Sequence, residues 1–315
     1  MIATVTANPC LDKTVSVPQF DLYRMNRVRV LCTDPSGKGI NVSKTLAAMG
    51  AQTLCVGFDF TDGGTSLLKA DLDACGIPHE LIPVAGALRV CTKIIDESRQ
   101  HTVEVNELGT PVTREDGERL LQKITEVAKR CEFLTLSGSL PKGLDTDFYA
   151  TCAREIRRAA PACRVVLDAE GEQMRTALRE GAYLIKPNIH EFESTFGQSP
   201  KSVDELDKAV RAVLAAYLVE VVCVSLGKDG AYIGTRDEAW FCPSLSVEAR
   251  SLQGAGDAMV AGLCMAMEQG LSLSDTLCHG VCLATATVMT EGTRPGSRAD
   301  FERLLKIAPT AQKVR

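Results

Sequence analysis

Ser251-Leu-Gln-Gly-Ala-Gly-Asp-Ala-Met-Val-Ala-Gly262 is the stretch on which the reading of the chain turns. The residues leading into it, Leu245–Leu252, read as a short strand, and the apolar run Ala258–Met267 reads as a buried helix. A strand that passes through Gly-Ala-Gly into a helix start leaves backbone N–H groups free, with no bulky side chain over them. The helix dipole adds about half a positive charge there. Such a place suits an anion, phosphate above all. Asp257 stands at its mouth. A carboxylate there repels phosphate unless it takes a proton from an incoming nucleophile, so the pair points to phosphoryl transfer. The same residues also make a plain strand-to-helix turn with Asp257 as helix cap. This stretch alone leaves both readings open.

Composition narrows the classes. The chain has 315 residues, 45% hydrophobic and 24% charged, ordinary globular usage. A net charge of −5 offers no polycation for nucleic acid. The longest apolar run, Ala258–Met267, is too short to span a bilayer. The N-terminus lacks the basic start of a signal peptide and already reads as a strand. Thirteen cysteines, several inside apolar runs (Cys55, Cys91, Cys223, Cys264), show no Cys-x-x-Cys spacing. They fit reduced thiols in a cytoplasm, not a disulfide framework or a zinc site.

Outward from the opening stretch, strands and helices alternate. Ile2–Thr6 reads as a strand that stops at Pro9, with Asp12 in the loop just past its end. Thr14–Val17, Val28–Leu31, Arg89–Ile95 and Thr102–Val105 have no helices between partners, the sign of a small inserted sheet. Asp34-Pro-Ser-Gly-Lys-Gly-Ile-Asn41 precedes a helix from Val42 to Met49; it is neither a Walker A loop nor a dinucleotide fingerprint. From Thr113 onward the alternation is regular, with strands read over Phe133–Ser137, Arg164–Asp168 and Val219–Ser225, which argues a parallel sheet covered on both faces. The loops Asn8–Asp12, Ser137–Gly143, Lys186–Glu191 and Ser225–Gly230 then share the strand C-terminal edge, where such sheets bind ligands. Asn188 and Glu191 lie three apart at a helix start, so Glu191 either caps that helix or holds water or Mg²⁺. Ser202-Val-Asp-Glu205 has capping-box spacing.

Ser36-Gly-Lys-Gly-Ile-Asn-Val42, Gly254-Ala-Gly-Asp257, Asn8-Pro-Cys-Leu-Asp12, Ser137-Gly-Ser-Leu-Pro141, Lys186-Pro-Asn-Ile-His-Glu191 and Ser225-Leu-Gly-Lys-Asp-Gly230 agree in order and spacing with one family. Through them the whole chain resembles the ribokinase-like sugar kinases, in the phosphofructokinase-B branch, most of all its 1-phosphofructokinases and tagatose-6-phosphate kinases. The resemblance implies a three-layer α/β/α core with a mostly parallel sheet. It also implies one kinase domain over residues 1–315, with a small β-sheet lid inserted at about 13–34 and 88–107 and often shared across a homodimer. By the same resemblance Asp257 is the base, and Gly254, Ala255 and Gly256 form the anion hole. Lys186, Asn188, Ser225, Gly227 and Gly230 would hold ATP, with Glu191 reaching Mg²⁺ through water. Asp12, Gly39, Asn41 and Ser137 would hold sugar hydroxyls; Lys38, Arg89 and Arg27 would hold a phosphate already on the sugar, opposite the anion hole.

The sequence departs from that family at Pro35 and Ser36, where Ala and Gly are usual, at Leu252 and Gln253 before the anion hole, and at Ala258, where Ser or Thr is usual. A Cβ at Ser36 would narrow the sugar site. The expected reaction is ATP plus a ketohexose monophosphate, fructose 1-phosphate to fructose 1,6-bisphosphate first. The alternatives are tagatose 6-phosphate, another sugar or a nucleoside. A sugar-phosphate-binding regulator on the same fold is the non-enzyme alternative, which the carboxylate of Asp257 disfavours.

Overall fold

The structure, a computed structural model, describes residues 1–61, 65–99 and 101–315. Gln100, in the turn expected between Asp96 and His101, lies outside them. The first part of the chain runs β1 (Ile2–Thr6), β2 (Cys10–Val17), β3 (Arg29–Ser36), α1 (Lys38–Ala48) and β4 (Thr53–Phe60). It continues through α2 (Thr65–Ala74), β5 (His79–Val84), β6 (Arg89–Asp96), β7 (His101–Asn106) and α3 (Arg114–Ala128). Then follow β8 (Phe133–Ser137), α4 (Phe148–Ala159), β9 (Arg164–Asp168), α5 (Gly171–Glu180) and β10 (Ala182–Ile185). Next are α6 (Ile189–Phe196), α7 (Val203–Ala216), β11 (Val219–Ser225), β12 (Ala231–Gly234) and β13 (Ala239–Cys242). The chain closes with α8 (Ala255–Glu268), α9 (Leu273–Val288), α10 (Arg298–Ile307) and β14 (Gln312–Lys313).

The strands form a 10-stranded sheet in the order β14-β13-β12-β11-β10-β9-β8-β1-β4-β5. From β11 to β5 every pairing is parallel. A central parallel strand is covered on both faces, so it carries an unbroken apolar run. In β1, Ala3 and Val5 face one core with α3, α4, α5 and α7, while Ile2 faces another with α1, α8, α9 and α10. The result is the three-layer α/β/α arrangement that the sequence resemblance implies. Among the described residues no helix is long and apolar enough to cross a membrane.

The second sheet is small, in the order β3-β2-β6-β7. It is mixed: β2 and β6 run parallel, and the two outer pairs are antiparallel. Its segments leave the main sheet after β1 and after β5, so it stands over the C-terminal ends of β1 and β8.

Several expectations are corrected. Leu245–Leu252 is not a strand. Two of its N–H groups, on Arg250 and Ser251, bond to the Val288 carbonyl at the end of α9, so no ladder is available to them. Pro9 ends β1, but the chain resumes extended at Cys10, which puts Asp12 inside a strand instead of a loop. Strand β3 continues through Pro35, which an edge strand tolerates. Helix α1 begins at Lys38, not Val42, and α8 at Ala255, not Ala258. Sequence periodicity missed β5 and β14; β5 is a half-exposed edge strand carrying Pro83. Ser202 Oγ does accept the Glu205 N–H at 3.2 Å, but the Glu205 carboxylate turns to the Lys201 N–H, so only half of that capping box forms.

Candidate active site

Parallel register sets the site. Thr6 stands opposite Ser137, and Ser137 opposite Asp168, so three neighbouring strands end level. Between these ends and the small sheet lies a cleft of about 870 Å³. Helix α1 is fixed to it by β1: Thr6 Oγ1 accepts the Ile40 N–H at 3.0 Å. Gly39 makes that approach possible, since a Cβ there would stand 2.5 Å from the Val5 carbonyl oxygen. Gly39 thereby packs against β1 and is not among the residues that line the cleft.

Across the cleft, Gly254 adopts a left-handed φ of 74°, and no side chain caps α8. Ala258 is the first residue of that helix to bond back, to the Gly254 carbonyl at 2.8 Å. The N–H groups of Ala255, Gly256 and Asp257 belong to the open first turn. Lys186 comes so close that a Cβ on Gly256 would stand 3.3 Å from its ammonium. The N-terminus thus carries its own dipole and a lysine, the electrostatics of a phosphate site.

Asp257 does not cap its helix. Its carboxylate is buried and accepts a hydrogen bond from Asn41 Nδ2 at 2.8 Å. Ser36 Oγ donates to Asn41 Oδ1 at 3.2 Å, which sets the amide so that its NH₂ faces Asp257. Ser36 is buried in the cleft wall, and its observed contact is with Asn41. Burial, and next the charge of Asp168, raise the Asp257 carboxyl to about 6, against the opposing pull of Lys38, Asn41 and Lys186. A carboxylate poised there suits a general base at neutral pH.

Asp168 is the functional residue that sequence reading passed over. It is buried, with Lys38 Nζ at 3.3 Å and Lys186 Nζ at 3.8 Å from the same oxygen. Burial alone would raise its carboxyl, but the charges of Lys186 and Lys38 hold it below the usual range. Its other oxygen, Oδ2, has no partner. Its place as the last residue of a strand level with Ser137 was the signal available.

The structure places Lys38 between Asp168 and Glu191 Oε1, the latter at 3.6 Å. Burial would lower its ammonium, yet Asp168, then Glu191 and Asp257, raise it, so it stays charged. Glu191 does cap α6: its Oε2 accepts the Asn188 N–H at 2.8 Å, and Asn188 Oδ1 accepts the Glu191 N–H at 2.9 Å. The capping leaves Oε1 for the cleft.

The small sheet supplies the other wall. Asp12 and Lys93 are buried there, 3.8 Å apart. Arg89 donates to the Asn8 carbonyl at 3.1 Å and the Glu107 carbonyl at 3.4 Å, while its buried Nε has no partner. Ser137 Oγ and Gln253 Oε1 are likewise buried without partners. These orphaned polar atoms belong to residues of the cleft wall, as expected of a site that waits for polar ligand. Ser225 ends β11, one strand beyond Lys186, with Gly227 and Gly230 just after it, and none of the three lines this cleft; Asn188 bridges to Ser225. Arg27 is exposed and lies outside the cleft lining.

The sequence model described as pfkB family carbohydrate kinase matches residues 6–300. The chain is 31% identical to the ATP-dependent 6-phosphofructokinase isozyme 2 of Mycobacterium tuberculosis, covering 99% of this chain and 91% of that one. It is 33% identical to the 1-phosphofructokinase of Rhodobacter capsulatus, over 87% and 86% of the two chains. The crystal structure of phosphofructokinase-2 from Escherichia coli in complex with potassium superposes with a TM-score of 0.89 at 24% identity, covering 97% and 98%. A buried carboxylate beside an uncapped, lysine-flanked helix start, on this fold and over this length of match, places the chain in the pfkB family of carbohydrate kinases.

Proposed function

We propose that the cleft transfers the γ-phosphoryl group of ATP to a free hydroxyl of a ketohexose monophosphate, with fructose 1-phosphate, giving fructose 1,6-bisphosphate, as the first candidate. The observation that carries this reading is Asp257, buried, held by Asn41 and raised towards 6 beside an open helix N-terminus. Asp257 takes the hydroxyl proton as the sugar oxygen attacks phosphorus; the bond to the bridging oxygen breaks and ADP leaves. The N–H groups of Ala255, Gly256 and Asp257 receive the charge on the transferred group. Lys38 and Lys186, tied to one carboxylate oxygen of Asp168, flank it with fixed positive charge. Asn188, Ser225, Gly227 and Gly230 line the nucleotide side in this reading.

Mg²⁺ fits on one condition. Among the described residues no cluster of three His, Cys, Asp or Glu donors includes Glu191, so the protein offers an outer contact, not a cage. That suits an ion that keeps its waters and rides on substrate phosphates, where it neutralises their charge. Glu191 Oε1 would hold it through water.

On the acceptor side, Asp12, Asn41 and Ser137 face the sugar hydroxyls, and Arg89, with its unpartnered Nε, takes the sugar's own phosphate. Relatives named for 1-phosphofructokinase and for 6-phosphofructokinase both support a fructose phosphate, and they divide over which hydroxyl reacts. Tagatose 6-phosphate is the alternative acceptor. The exposed apolar residues of the small sheet and its loop, among them Leu22, Val30 and Val105, are read as the seat of a second copy, so that the sheet acts as a shared lid. Free thiols throughout the described residues suit a reducing cytoplasm.

A screen of ADP release over fructose 1-phosphate, fructose 6-phosphate, tagatose 6-phosphate and unphosphorylated sugars tests the reading. Turnover confined to a sugar phosphate supports it. Preference for a free sugar or nucleoside overturns it.

A further inference from the structure

The acceptor wall carries two thiols, Cys10 and Cys91, to which the proposed phosphoryl transfer gives no role. Strand period two points Cys10 and Asp12 of β2, and Arg89, Cys91 and Lys93 of β6, into the cleft. In the parallel register Asp12 stands opposite Cys91 and Cys10 opposite Arg89. The sulfurs of Cys10 and Cys91 and an oxygen of Asp12 lie within 4.8 Å of one another, and all three residues are buried. Cys10 Sγ is 3.8 Å from Asp12 Oδ1.

We infer that Cys10, Cys91 and Asp12 form a Zn²⁺ site inside the acceptor half of the cleft, so that Zn²⁺ and the sugar phosphate exclude one another. Zinc takes thiolate sulfur at about 2.3 Å and carboxylate oxygen at about 2.0–2.2 Å in a tetrahedron, which sets donors roughly 3.4–3.8 Å apart. A contraction of about 1 Å, within reach of side-chain rotation, brings these three to that spacing. Two sulfurs select against Mg²⁺ and Ca²⁺. The fourth position faces the cleft and takes water. Each thiol gives its proton to solvent as its sulfur binds the metal.

Shared residues make the two ligands alternatives: zinc would take the Asp12 carboxylate that the proposed function gives to the sugar hydroxyls, and its three ligands line the same cleft wall as Arg89. Lys93 Nζ lies 3.8 Å from Asp12 Oδ2, so it stays on one oxygen while Oδ1 turns to the metal. Two other thiol pairs lie within that 4.8 Å limit, Cys131 with Cys163 at 3.6 Å and Cys242 with Cys278 at 3.7 Å. Neither has a third such donor within the same distance among the described residues, which makes them controls.

Zinc binding itself stands apart from the kinase reading; the exclusion of sugar phosphate rests on it. The test is a Zn²⁺ titration of the reduced full chain against a chromophoric chelator, without ATP or Mg²⁺. One tight equivalent per chain is expected, weakened at least tenfold in Cys91→Ser and in Cys10→Ser and unchanged in Cys131→Ser. Fructose 1-phosphate should weaken Zn²⁺, and Zn²⁺ should weaken fructose 1-phosphate by the same factor. Far-ultraviolet circular dichroism and melting temperature check that each variant is folded, and Asp12→Asn serves as an independent probe of the third ligand. Zinc affinity alike in the parent and both cysteine variants overturns the site. Zinc lost in those variants but indifferent to sugar phosphates that the zinc-free enzyme turns over overturns the exclusion. Absence of any turnover with sugar phosphates would instead strike the kinase reading and leave the zinc titration as measured.

Discussion

Asn41 on α1 donates to Asp257 on α8 across 2.8 Å of buried space, and the two residues come from opposite ends of the chain. That bond fixes one oxygen of the carboxylate and leaves the other for the acceptor hydroxyl. Asp257→Asn keeps the shape and loses the proton acceptor. Turnover should fall by roughly 10²–10⁴, with ATP affinity within a few-fold. The same change should stabilise the fold. A carboxyl raised in the folded state disfavours folding above its folded value near 6, and the penalty vanishes below its unfolded value. Denaturant melts at pH 8 should show a gain on the order of 1–3 kcal/mol, shrinking towards pH 4.

The base also fixes a pH profile. The reaction needs Asp257 ionised, so kcat/KM should fall as pH drops through about 6, roughly tenfold per unit below it. Asp168→Asn removes a charge that raises Asp257 and frees Lys38 and Lys186 to lower it. The acid limb of that variant should move to lower pH. An unmoved limb would place the controlling group elsewhere.

Arg89 and Lys38 should separate in steady-state kinetics. A charged hydrogen bond to phosphate is typically worth about 1.5–3 kcal/mol. Arg89→Ala should therefore raise the sugar-phosphate KM roughly ten- to a hundredfold, with the ATP KM nearly unchanged. Lys38→Met should do the reverse, lowering kcat by about 10–10³ with a small change in sugar KM. Equal effects of the two would contradict the placement of Lys38 beside Asp168.

Closure of the small sheet has its own readout. Amide exchange over residues 14–31 and 89–105 should slow with sugar phosphate and an ATP analogue together. Protection found only outside those segments would argue against a lid. Val30, half exposed on β3, is a probe of the second copy. Val30→Asp should shift sedimentation towards monomer, and an unchanged distribution would move the interface elsewhere.

The core was legible because its strands announce themselves. Ile2–Thr6, Phe133–Ser137, Arg164–Asp168 and Val219–Ser225 have the expected bounds, since strands buried on both faces need β-branched runs. Asp257, Asn41 and Arg89 stood out as candidates by their Gly-rich or strand-end settings, and the structure puts all three on one cleft. What one dimension hides is which charges meet. Asp168 read as the end of a strand, and only the level ends of β8 and β9 bring it under Lys38 and Lys186. Lys38 read as a contact for the sugar's phosphate, because its carboxylate partners lie far along the chain. Leu245–Leu252 has the composition of a strand, but its hydrogen bonds go to the end of α9.

The donor half of the cleft is assembled by the main sheet and its helices, and the acceptor half leans on two short insertions, one after β1 and one after β5. Those insertions add no strand to the main sheet. In the proposed reading a change of acceptor would therefore fall on those two insertions, while Asp257, Lys186 and the open end of α8 stay with the main sheet and its helices.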